Sequence, residues 1–77
     1  MPIAVTKNGN PVLPHANTFT PNGTRATITT TQADGVLDVG QEYRIVVTAP
    51  TANPGTYTAK YVDVDVFTYS FDNLHQI

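Results

Sequence analysis

The chain has 77 residues, no cysteine, four Lys+Arg against six Asp+Glu, and 13% charged residues, about half the roughly 25% of an average domain. Disulfides and thiolate metal sites are thereby excluded. The basic patch that nucleic acid requires is missing, and no run of like charge marks an anionic-lipid surface. This length makes one small domain that buries only about 60% of its unfolded surface, so a partner surface is expected to complete its support: other copies of the chain, as a homo-oligomer, or a larger assembly.

In chain order, residues 1–23 stand apart. They hold Pro2, Pro11, Pro14 and Pro21, four of the six prolines. Proline fixes φ and lacks a donor, so central strands are not expected here. Ile3, Val5 and Val12-Leu13 suit short edge strands, and Asn8-Gly9 suits a type I′ hairpin turn. Residues 1–23 read either as an N-terminal strand with a long surface loop or as an extended Pro-rich arm ordered on a neighbouring subunit; the arm is the reading taken for function, followed by a β-module over 24–77. On this reading residues 1–20 can be removed without unfolding the module.

Residues 24–31, TRATITTT, read as a strand with Ala26 and Ile28 on one face. Residues 33–36 turn around Asp34-Gly35, and 36–39 read as a short strand ended by Gly40. Residues 42–49, EYRIVVTA, alternate cleanly, with Tyr43, Ile45 and Val47 on one side. A Pro/Asn/Gly loop follows at 50–55. Short strands at this spacing, with almost no helical periodicity, predict a small all-β antiparallel sandwich.

Within this region, residues 39–64, VGQEYRIVVTAPTANPGTYTAKYVDV, carry Gly55-Thr56-Tyr57 after Pro54. The stretch resembles the second half of an immunoglobulin-like sandwich, in which a strand, a loop and then Gly-x-Tyr open the next strand. The resemblance implies that Tyr57 is a tyrosine corner whose hydroxyl bonds upstream backbone and pins the connection. It covers about a third of the chain, the family's Cys…Trp…Cys core is absent, and roughly twenty residues of the usual length are missing. A reduced Greek-key or jelly-roll arrangement stays open.

Residues 56–72, TYTAKYVDVDVFTYSFD, change apolar face twice. Tyr57, Ala59 and Tyr61 share one phase, Val62, Val64 and Val66 the other, and Phe67, Tyr69 and Phe71 return to the first. Two strands meeting near Val62–Asp65 account for this. The second strand would then be apolar on both faces, with one face covered by another chain. Aromatic sets of this kind mark cores and contacts. Phe67, Tyr69 and Phe71 therefore read either as a second core strand or as subunit contacts, the contact reading being the one taken for function, with Ile3, Val5, Val12, Leu13 and Phe19 as contacts of the arm.

Sites for chemistry are few. Asp63 and Asp65 would share a strand face and could bind Ca²⁺ or act as an acid/base pair, but a solvated face explains them. His15 and His75 have no third ligand near them in sequence, and Ser70, the one serine, stands in no nucleophile elbow. No enzyme activity, metal or other cofactor is expected. Asn22-Gly23-Thr24 matches a glycosylation sequon and reads as a turn.

Thirteen threonines and six asparagines against few Lys and Glu are the composition of surfaces that work outside cells. Yet the start, MPIAVTKNGN, has neither basic nor apolar signal regions, and no apolar run is long enough to span a membrane. A virion protein, made in the host cytoplasm and working outside it, satisfies both, as does an excised or engineered domain. The composition is similar to that of bacteriophage capsid decoration, or cement, proteins. That resemblance implies a structural role on the major capsid protein or another virion protein. The alternative is a carbohydrate- or cell-surface-binding module of a tail fibre or adhesin, using Tyr69, Asp63 and Asp65.

Overall fold

A computed structural model describes residues 2–63 and 65–77. Seven strands follow one another: β1 Ile3–Lys7, β2 Asn10–Pro11, β3 Ala16–Asn22, β4 Arg25–Thr30, β5 Glu42–Val47, β6 Gly55–Tyr61 and β7 Thr68–Gln76. They form one antiparallel sheet in the order β2-β1-β5-β6-β7-β4-β3. The all-β antiparallel class read from the sequence is the class observed. The sheet curls until β1 and β3, distant in hydrogen-bond order, touch across the molecule, and its inward face packs on itself.

Period-2 alternation decides which side chains go inside. On β5, Tyr43, Ile45 and Val47 point inward, and on β6, Tyr57, Ala59 and Tyr61 do; all six are buried. Ala26 and Ile28 of β4 and Tyr69 and Phe71 of β7 complete that wall, with Ala26 opposite Phe71 and Ile28 opposite Tyr69. The outward phase carries threonines, and the Thr18 and Thr29 hydroxyls are bonded across β3 and β4 at 2.5 Å. Tyr43, Tyr61, Tyr69 and Phe71 form an aromatic cluster, with Tyr61 5.5 Å from Phe71 and 5.9 Å from Tyr69 between ring centroids.

Residues 3–22 supply three of the seven strands. β1 pairs with β5 from Ile3↔Val47 to Thr6↔Arg44, and Ile3 and Val5 follow the inward phase. The turn predicted at Asn8-Gly9 is present, with φ of 52° and 81°, and it joins β1 to β2. β3 occupies the sheet edge, where Pro21 removes no ladder bond from a central strand, and Phe19 lies opposite Ile28. An extended arm lying outside the module is not what these residues make. The Cα radius of gyration, 10.8 Å, matches the roughly 11 Å of a fully compact chain of this length.

Two further expectations are corrected. Residues 36–39 form no strand; 31–41 run as an irregular strap from β4 to β5. The double phase change at 56–72 has a simpler origin than a strand apolar on both faces. β6 stops at Tyr61, the described residues 62–63 and 65–67 belong to no strand, and β7 begins at Thr68. Tyr69 and Phe71 point inward while Thr68, Ser70 and Asp72 take the other face, so β7 is apolar on one face only. Val64 lies outside the described residues.

Candidate functional site

The Tyr57 hydroxyl reaches upstream backbone: it donates to the Asn53 carbonyl at 2.8 Å, tying the 48–54 loop to the first turn of β6. Gly55, the glycine of Gly-x-Tyr, has φ 148°, a backbone conformation that calls for glycine.

The opposite end of the molecule is built by the strap and the β6–β7 loop. Leu37 is buried and anchors the strap over the aromatic cluster. The Asp38 amide donates to the Tyr43 hydroxyl at 2.9 Å, and the Gly40 amide to the Tyr61 carbonyl at 2.8 Å. The Tyr69 hydroxyl lies between the Gly35 carbonyl (2.5 Å) and the Val66 carbonyl (2.6 Å), so one buried tyrosine joins both loops. The Asp34 carboxylate, 1% exposed, accepts from the His15 amide at 2.9 Å and meets His15 Nδ1 at 2.5 Å. This latch fastens the strap to the chain ahead of β3. In the other loop, Asp65 accepts from the amides of Phe67 (2.9 Å) and Thr68 (3.2 Å), and these two donors hold its carboxyl below the usual carboxylate range.

The two loops expose apolar side chains on that fixed frame. Val36 is 66% exposed, Val39 55% and Phe67 49%; among the described residues the one other large apolar side chain so exposed is Ile77. The Gly35 and Val66 carbonyls converge on one hydroxyl, so the backbones just ahead of Val36 and Phe67 approach each other at this end. Asp38, Asp63 and Asp65 are exposed on the same two loops.

Most residues read as contacts have other work. Ile3, Val5, Leu13, Phe19, Tyr69 and Phe71 are buried in the core, and Val12 packs against it half-buried. Their side chains are inside because the register puts them there, so this chain's own interior takes the surface expected for a partner. Of that set Phe67 alone is exposed. Tyr69, buried and bonded at its hydroxyl, offers no stacking face to a sugar. Asp63 and Asp65 sit in a loop past the end of β6, not on a shared strand face. Among the described residues no three His, Cys, Asp or Glu side chains gather as a metal site would need. Ser70 faces outward opposite Thr27, on the side of the sheet away from the core.

Several site features were not visible in the sequence. His15 and Asp34 are nineteen residues apart and match no spacing motif. The exposure of Val36 and Val39 depends on the strap being irregular. An open cleft of about 400 Å³ lies over the β1–β5–β6 surface and includes Thr6, Lys7, Asn8, Glu42, Arg44 and Thr58 in its lining. It arises from register alone, since Arg44 stands opposite Thr6 on one side and Thr58 on the other. Comparison with family models, curated proteins and solved structures gives no match.

Proposed function

We propose that this chain is a structural virion protein, a capsid-decoration module that docks through its apolar end. The observation that carries the reading is the exposure of Val36, Val39 and Phe67 on two hydrogen-bonded loops at one end of the molecule. Exposed apolar groups on hydrogen-bonded loops lose little entropy when covered, and apolar side chains flanked by exposed carboxylates on the same loops suit a contact surface. The Thr/Asn-rich, weakly charged composition supports a place on a particle that works outside the cell. Many copies acting together on one shell give avidity from individually weak contacts.

The test is co-sedimentation with tail-free heads of the virus whose genome carries the gene. Wild-type chain should pellet with the heads at a fixed copy number. The double substitution Val36→Ser, Phe67→Ser should weaken binding about tenfold or more, as loss of central apolar contacts does, at an unchanged melting temperature. Equal binding by the variant, or no binding by the wild type, refutes the reading.

A further inference from the structure

We propose a second, independent binding site: the cleft around Arg44 and Lys7 takes a carboxylated, hydroxyl-rich ligand, a uronic acid unit of an acidic polysaccharide. Arg44 is exposed on the outward phase of β5. Among the described residues its guanidinium has no hydrogen-bond or ion-pair partner. Lys7 is held differently. Its Nζ donates to the Glu42 carbonyl at 2.8 Å and stands 5.5 Å from the centre of the Tyr43 ring. A carbonyl and an aromatic ring fix the ammonium without neutralising it. Two cations without a neutralising carboxylate bonded to either therefore line one cleft, in a chain whose net charge is −2.

The lining selects the ligand. Arginine's planar fork matches a carboxylate through two parallel hydrogen bonds. Glu42 is the one carboxylate of the lining, so the cleft carries a net single positive charge and suits a monoanion better than a phosphate dianion. Thr6 and Thr58 flank Arg44 in register, and the Asn8 amide adds a neutral donor and acceptor, the groups that pair with sugar hydroxyls. A neutral sugar is served poorly, because Tyr43, 4% exposed and covered by Lys7, gives no stacking platform. The volume, about 400 Å³, falls within the range of small-ligand clefts, roughly 300–1,000 Å³.

Amide-detected NMR titration of the full chain tests this with sodium glucuronate, a neutral methyl glucoside and inorganic phosphate. Glucuronate should shift Thr6, Lys7, Arg44 and Thr58 saturably. Arg44→Gln should weaken binding about tenfold or more, the loss of a charge-assisted bidentate contact. Arg44→Lys should fall between the two, because it keeps the charge and loses the fork. Both variants alter an exposed side chain, and their unperturbed spectra report an intact fold. The site is refuted by absent shifts, by equal shifts with the neutral glucoside, or by an Arg44→Gln variant that binds as well as wild type. Phosphate binding as tightly as glucuronate refutes the sugar assignment. None of these outcomes depends on capsid docking, which uses the other loops.

Discussion

At the residue scale, Tyr57 shows how a short motif reaches into tertiary structure. Its ring packs 5.0 Å from Phe19 between centroids, while its hydroxyl reaches back to Asn53. Burial of the ring and bonding of the hydroxyl are separable. Tyr57→Phe keeps the first and removes the second, so it should cost about 0.5–1.5 kcal/mol, the net worth of one intramolecular hydrogen bond. Urea denaturation checks it, with an unchanged m-value and a lowered midpoint. A midpoint equal to wild type means the corner bond is worth no more than the water that replaces it. Asn53 has φ 62°, so the loop it closes sits in a conformation that asparagine tolerates and most residues do not.

At the element scale, the fate of residues 1–23 follows from β1. Ile3 and Val5 pair with β5 and are buried, as are Leu13 and Phe19. Four such side chains contribute on the order of 6–12 kcal/mol of transfer free energy, comparable to the whole stability of about 5–15 kcal/mol that small proteins have. Deleting residues 1–20 should therefore abolish the fold, read as loss of the β-sheet circular dichroism signal and of amide dispersion. A folded truncated chain refutes the assignment of β1 to the core. The arm was misread because proline argues only against central strands, and edge strands accept it; β3 carries Pro21 without penalty. What was legible was the period-2 segments: 42–47 and 55–61 show their inward phase in the letters. The strap was not, since nothing periodic marks Leu37 as buried between the exposed Val36 and Val39. The His15–Asp34 latch joins segments that meet only after the sheet has curled. The face change at 56–72 was visible, but its cause, the break between two one-faced strands ending at Tyr61 and starting at Thr68, needed the register.

At the scale of the whole molecule, the aromatic cluster makes stability depend on alkaline pH. The Tyr61 hydroxyl is buried and has no hydrogen-bond partner among the described residues. Burial first, then the nearby Asp63 carboxylate, push its pKa up from 10.0 to about 12. Burial also raises Tyr69, with Asp34 adding to it. A tyrosine is neutral while protonated, so both states of the protein hold these protons below pH 10 and no dependence arises there. From pH 10 upward the unfolded chain loses them while the native chain keeps them. The unfolded state then binds fewer protons, and stability falls as pH rises through the window from 10 to about 12. Each tyrosine contributes a slope of up to about 1.4 kcal/mol per pH unit. Urea midpoints across this range, with tyrosinate absorbance recorded alongside, should show cooperative unfolding that releases the buried tyrosines together. Tyr61→Phe separates the contributions. It removes a hydroxyl that is desolvated and unbonded, so stability at neutral pH should stay level or rise by about 1 kcal/mol, and the alkaline slope should lessen by the Tyr61 share. A variant that loses stability at neutral pH would show that the Tyr61 hydroxyl is bonded in the folded protein. A variant that keeps the full alkaline slope would place the linkage on Tyr69 and the other tyrosines instead.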